Sequence, residues 1–347
     1  MPARTRRPLR ALAGALATGA LAELAPAGQA AAAPAAPAPG PATTLLSAAG
    51  GAGEQQRVAT YWTPERMRAA VPLDVSRTAE QQAGGTTAGA RPLSATTALS
   101  EVVGRGSRTT AAPAQTTGVP WSGGGAVARI AGKVFFVSGG RPYVCSGSSV
   151  ESGNRSTVVT AGHCLTEGGV DATDVAFVPG YSAGNAPYGT WVATALSTTS
   201  QWRDGDQATA AAMNYDVGFA VVAPRPDGAR LADVVGAFPI AFDAPAGQRL
   251  AVFGYPSSAP YDGQSLQHCR GRGFADTSPQ STDLGVNCFM TGGSSGGPWL
   301  SGFDGSTGTV TSVVSFSYAG ADSVLYGPRF GAVVREVYTA ASSRAVA

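Results

Sequence analysis

Residues 290 to 299 read Met-Thr-Gly-Gly-Ser-Ser-Gly-Gly-Pro-Trp and hold the chain's best candidate for covalent chemistry. Four glycines flank Ser294 and Ser295, a composition suited to a tight loop whose backbone N–H groups can turn toward a substrate. Ser295 is the candidate nucleophile. A serine hydroxyl is a weak nucleophile at neutral pH, so it needs a histidine to take its proton and a carboxylate to orient that histidine. The chain has only two histidines. His163 stands in Thr160-Ala161-Gly162-His163-Cys164, and His268 in Gln267-His268-Cys269. His268 reads as a structural neighbour of a cysteine rather than as a base or a metal ligand.

The segment Thr160-Ala161-Gly162-His163-Cys164, followed far downstream by Gly293-Ser294-Ser295-Gly296-Gly297-Pro298, resembles the histidine and serine motifs of the chymotrypsin-like serine peptidases. The resemblance is nearest to the secreted bacterial branch that includes the glutamyl endopeptidases, and it covers residues 119 to 341. Competing arrangements fail on residue order. Gly293-Ser294-Ser295-Gly296-Gly297 also fits the nucleophile elbow of lipases and esterases, but that fold needs a histidine after the serine, and none follows His268. The subtilisin order needs an aspartate before the histidine, and only Asp74 precedes His163. It lies in a segment expected to be removed. The order His, Asp, Ser is left.

Eleven aspartates lie between His163 and Ser295. Asp216 stands at the mouth of the apolar run Val217-Gly218-Phe219-Ala220-Val221-Val222, where a carboxylate is expected to be partly buried and to need a partner. The N–H of a neutral histidine supplies one. A strand-start cap is the plainer alternative for Asp216. Asp171, Asp174, Asp204 and Asp206 sit in polar, Gly-rich stretches and read as solvated, and Asp204-Gly205-Asp206 falls short of a calcium ligand set.

The resemblance implies that His163 acts as base, Asp216 orients it and Ser295 attacks, with the N–H groups of Gly293 and Ser295 receiving the oxyanion. It implies that the strand around Ser315, Phe316 and Ser317 supports the aspartate and pairs with substrate backbone. Phe289 occupies the position where trypsin-like enzymes carry a pocket-floor aspartate, and Val314 the place of the histidine in glutamate-preferring relatives. A small or apolar side chain before the cut is therefore expected. The four cysteines allow three pairings; Cys145 with Cys164 and Cys269 with Cys288 each close a short loop, and the family bridge ties the histidine turn to the preceding strand. Arg129-Ile130-Ala131-Gly132 imitates a zymogen activation site, but the residue before the nucleophile is Ser294, which has no charge for a new N-terminus to meet. An esterase on the same triad, or a binding protein on a peptidase scaffold, are the alternative functions.

The elements that must position these residues follow from the pattern of the chain. Arg4, Arg6, Arg7 and Arg10 precede an Ala/Leu-rich run, so residues 1–33 read as a signal peptide too short to span a membrane. Residues 34–120 read as a largely disordered pro-segment, low in large apolar residues. One helix is expected in it, with Thr63 as N-cap, Pro64 at its first position and Pro72 as its stop; Trp62 and Met67 would dock it on the enzyme.

Residues 121–347 read as the peptidase domain. Short strands are expected over 133–138, 143–150, 157–160, 175–179, 190–196 and 217–222, then over 239–241, 249–255, 264–271, 284–289, 298–301, 310–318 and 324–327. Short strands separated by turn residues indicate an all-β fold. The family implies two six-stranded antiparallel β-barrels, at about 126–225 and 235–328, with the site in their cleft. Phe330, Val333, Val334, Val337 and Tyr338 fall on one helical face, giving a terminal helix at about 329–341 expected on the second barrel.

A net charge of +2 in 347 residues, without a basic stripe, gives no case for nucleic acid. No metal or other cofactor is expected. The expected partners are protein or peptide substrates, met by a secreted monomer that leaves the membrane once its leader is removed.

Overall fold

A closed ring of six antiparallel strands forms one half of the protein. In a computed structural model that describes residues 43–46, 48–73, 75–77 and 114–346, the ring runs Trp191–Thr199, Thr173–Pro179, Ala131–Ser138, Arg141–Val150, Thr157–Thr160 and Gly218–Val222. Pairing of Gly218–Val222 back onto Trp191–Thr199 closes it. Val134, Phe136, Val158, Leu196 and Val222 meet inside with almost no exposure. Each such side chain contributes about 1.5–3 kcal/mol by leaving water. The expected signal peptide lies outside the described residues.

The strands of the second barrel divide into two sheets. One has the order Thr309–Val313, Pro298–Ser301, Arg249–Gly254, Gln267–Arg272, Gln115–Pro120; the other runs Phe274–Ala275, Leu284–Asn287, Val324–Gly327. The disulfide Cys269–Cys288 joins them, because Cys269 lies in Gln267–Arg272 and Cys288 follows Leu284–Asn287 directly. Gln115–Pro120 falls on the pro-segment side of the expected boundary at 120, yet it pairs with Gln267–Arg272 as a strand of this half. Its Gln-Thr-Thr-Gly-Val-Pro sequence has no apolar alternation to mark it. Residues 239–241 contribute only an isolated bridge from Ile240 to Val310 instead of a strand. The expected strand 310–318 is broken, with Thr309–Val313 and Ser317–Tyr318 pairing to different neighbours.

The terminal helix Ala332–Ser343 buries Val334, Val337 and Ala341, as its period requires. It packs on Trp191–Thr199 and Gly218–Val222 of the first barrel, not on the second as expected. The reason is an apolar landing site: the Tyr338 ring lies 5.8 Å from Phe219, its hydroxyl donates to Glu151 O at 2.6 Å, and Asn154 Nδ2 donates to Ala341 O at 2.8 Å.

Part of the segment expected to be disordered is folded onto the first barrel. Thr43–Leu46 adds a strand to the edge of Trp191–Thr199. Ala52–Tyr61 is a helix the sequence did not suggest, with Val58 as its one buried residue. Pro64–Ala69 is the expected helix, and Thr63 caps it by accepting from the Arg66 N–H at 3.3 Å. Trp62 and Met67 are each 3% exposed. The Trp62 ring sits 5.3 Å from Phe135, and its Nε1 donates to Asp174 O at 2.6 Å.

If the Cys269–Cys288 bridge ties the two sheets together, replacing both cysteines by alanine lowers stability by about 2–4 kcal/mol. Urea denaturation of the purified protein checks this; an unchanged midpoint would count against the bridge as a staple.

Candidate active site

The strand Thr157–Thr160 ends at Ala161, and a single 3-10 turn, Gly162–Cys164, carries His163. Cys164 is bonded to Cys145 of the adjacent strand Arg141–Val150, so the turn is covalently held. Gly162 has no room for a side chain: a Cβ there would lie 2.8 Å from the Trp202 ring and 3.0 Å from Asp216 Oδ1. Asp216 comes to the same place from the other side. The turn Ala210–Met213, capped by Thr209, delivers it, and the hydroxyls of Thr198 and Thr199 hold the flanking carbonyls of Val217 and Tyr215 at 2.9 Å.

Both side chains are fully buried. Asp216 Oδ1 accepts from the His163 backbone N–H and Oδ2 from His163 Nδ1, each at 2.8 Å. Ser315 Oγ donates to Oδ2 at 2.5 Å. An ionised carboxylate only accepts, so Nδ1 must carry the proton, and Nε2 is left with its lone pair. Burial alone would raise the Asp216 pKa, but the His163 charge and the hydrogen bonds from His163 and Ser315 outweigh it, and the carboxyl titrates below its ordinary value. Burial likewise pulls His163 down, while the charge and hydrogen bond of Asp216, with Glu167 adding, lift it above its ordinary value.

Ser295 is 4% exposed. Its loop is tied to the first barrel by Ser146, whose N–H donates to Ser295 O at 2.7 Å and whose Oγ donates to Gly293 O at 2.8 Å. Gly296 adopts φ +80° against Ser146 and Thr160, where any Cβ would collide. Ser295 and Ser315 line one small cavity, so the loop and the aspartate's partner share a site. His163 Nε2 is buried without a hydrogen-bond partner, and its contact to Ser295 is not made in this arrangement. The Gly293 N–H donates to Leu73 O at 3.1 Å.

Ser294 Oγ donates to Thr291 O at 2.7 Å, a local bond where an ion pair would otherwise stand. Ile130 is 2% exposed and runs directly into the strand Ala131–Ser138.

Phe289 does not line the cavity beside Ser295. Its ring faces Tyr261 at 5.9 Å and its N–H bonds Thr116 O, so the next residue, Met290, takes the wall position. Ser315, Phe316 and Ser317 do line it. His268 lies away from the site, donating or accepting at Val119 O over 3.1 Å. Three contributors had no signal in the sequence. Ser146 pins the loop, Glu167 sits near His163, and the Trp202 ring lies 6.4 Å from the imidazole.

No protein-family model and no curated protein matches the chain. Solved structures do. A protease, Anisep, from Arthrobacter nicotinovorans is 45% identical with a TM-score of 0.58, over 62% of this chain and 96% of its own. A thermostable serine protease, AL20, from an extremophilic microorganism is 39% identical with a TM-score of 0.58, over 63% of this chain and 100% of its own. The chain belongs to the chymotrypsin-like serine peptidases. The two relatives match 62% and 63% of the chain, so more than a third of it lies outside each match.

In a serine peptidase a carboxylate as buried as Asp216 depends on every donor it has. Ser315→Ala removes the shortest of them and is expected to lower kcat/KM on a peptide substrate roughly tenfold, the scale of a hydrogen bond to a charged group. Unchanged kcat/KM would assign Ser315 to packing alone.

Proposed function

We propose that the protein is a secreted serine endopeptidase that cuts peptide bonds through an acyl-enzyme, with His163, Asp216 and Ser295 as its triad. The observation that carries this reading is the buried, doubly bonded His163–Asp216 pair with Nε2 unpartnered, whose third partner Ser315 lines the same cavity as Ser295. His163 takes the proton of Ser295 as it attacks the peptide carbonyl. Asp216 keeps the ring in the tautomer that leaves Nε2 free and balances the imidazolium that forms. The N–H groups of Gly293 and Ser295 receive the oxyanion, His163 returns its proton to the departing amine, and water releases the acyl group.

The cavity beside Ser295 is walled by Met290, Thr291, Val314, Phe316 and Leu325, with no charged side chain among its described lining residues. That supports a small or apolar side chain before the cut. Two disulfides fit an oxidising destination, consistent with export on the leader read at residues 1–33. Residues 34 to about 114 serve as a pro-segment removed on the way to the active enzyme, and the peptidase domain begins at Gln115. Protein or peptide substrates are the partners, and the enzyme acts as a monomer.

Ser295→Ala abolishes casein hydrolysis and fluorophosphonate labelling while the variant is still secreted and folded; full activity in it would end the proposal. The pH profile offers a separate check. Protonated His163 has no lone pair to accept the serine proton, so activity is lost as pH falls through its pKa. Because Asp216 lifts that pKa despite burial, the acid limb of kcat/KM should have its midpoint above the ordinary histidine value of about 6.5. A midpoint clearly below it would contradict the electrostatics of the pair.

A further inference from the structure

The chain's own N-terminal segment runs along Tyr143 and Val144 and then past the loop that carries Ser295. Val71–Pro72 pairs in parallel with Tyr143 and Val144, and the Leu73 N–H donates to Val144 O at 3.2 Å. The Leu73 carbonyl then takes the Gly293 N–H, one of the two donors assigned to the oxyanion. Beyond it, Ser76–Arg77 pairs in parallel with Ser317–Tyr318. Ser317 N–H donates to Val75 O at 3.3 Å, and Ala319 N–H to Arg77 O at 2.8 Å.

Side chains follow the backbone. Leu73 lines the cavity that holds His163, Tyr143 and Leu165. Val75 lines the cavity that holds Ser295, Met290 and Phe316, and is 7% exposed. Arg77 is 8% exposed and lines a further cavity with Glu167. The His163 side chain has no exposure at all.

The direction of this strand matters more than its presence. In hydrolysis the acyl half stays on Ser295 while His163 gives its proton to the departing amine. On the reading proposed above the acyl half lies along 315–317, which share a cavity with Ser295, and the departing half on the side where Tyr143 shares a cavity with His163. A substrate therefore runs from Ser317 toward Val144. The segment runs the other way, entering beside Tyr143 and Val144 and leaving along Ser317–Tyr318.

We propose that residues 71–73 and 75–77 form an inhibitory segment that occupies the substrate cleft in reversed polarity, a reading that rests on the acyl-transfer site proposed above. The chain beyond the Leu73 carbonyl heads toward Val75, away from the side on which an amine can be protonated. The oxyanion donor is taken, yet no leaving group stands where His163 can serve it. The strand blocks the cleft without being cut.

The intact secreted chain and the same protein processed by proteolysis between residues 78 and 113 are compared by fluorophosphonate labelling of Ser295. The intact chain is expected to label at least about tenfold more slowly, and Val75→Asp in the intact chain, which places a charge among apolar walls, to recover most of that difference. Equal labelling of intact and processed chain overturns the proposal. A synthetic peptide of residues 69–79 provides the test of polarity. It should inhibit the processed enzyme competitively and remain uncut; cleavage at substrate-like rates overturns the reversed direction. Failure of the processed chain to label at all would instead sink the triad. Binding of the peptide to processed Ser295→Ala protein, read by tryptophan fluorescence, then decides the occupancy: saturable binding supports it, and none overturns it.

Discussion

A buried carboxylate must be compensated, and Asp216 is the point at which this fold makes that compensation. An isolated charge in the interior costs so much that the group would take up a proton. Asp216 stays ionised because three donors converge on it: the ring and the backbone N–H of His163 from the first barrel, and Ser315 Oγ from the second. Packing of the two halves is thus coupled to the charge state of the site. Neither barrel alone satisfies the carboxylate. The histidine gains from the same arrangement, since the bond that satisfies Asp216 also fixes the tautomer and aims Nε2.

The same interaction explains the break at 314–316 in what the sequence suggests is one long strand. Val314 O accepts from Gly296 N–H, and Ser315 must turn its hydroxyl to Asp216. A continuous ladder would direct those groups to a neighbouring strand. The chain gives up regular pairing there and resumes it at Ser317–Tyr318, where the partner is the N-terminal segment.

Much of this was legible in the residues. His163 and Asp216 stand out by residue type and order, and they do meet; the short strands stand out by the turn residues between them, while their closure into a barrel was implied by the resemblance. What escaped depended on partners distant in the chain. Gln115–Pro120 has the composition of a linker and becomes a strand only because the edge of Gln267–Arg272 offers a ladder. The terminal helix announced its apolar face but not its neighbour; only the Phe219 face of the first barrel, which the helix covers, decides that. Phe289 sat at the expected offset from Ser295, yet its ring turns to Tyr261 and Met290 lines the cavity instead. Lys133 is the chain's one lysine. It lies 2% exposed with Nζ 4.5 Å from the Tyr181 ring, and burial drives its pKa down to about 7 despite the charge of Asp262.

Low apolar content misled the reading of the N-terminal segment for a related reason. Such a stretch cannot build a core of its own, but it does not need one when a finished barrel supplies the other half of each contact. Thr43–Leu46 borrows an edge, Trp62 a patch around Phe135, and residues 71–73 and 75–77 the cleft. Individually these contacts are weak, and their strength comes from attachment. A tethered strand faces its cleft at an effective concentration on the order of millimolar, whatever the concentration of the protein. Severing the chain after Arg77 removes that advantage at one stroke, leaving the N-terminal piece held only by its own contacts with the barrel and the cleft. Reversed polarity makes the severing necessary, because the site cannot clear itself by cutting what lies in it. Inhibition that is firm in the intact chain and released by one distant cut follows from the parallel register of Ser76–Arg77 on Ser317–Tyr318.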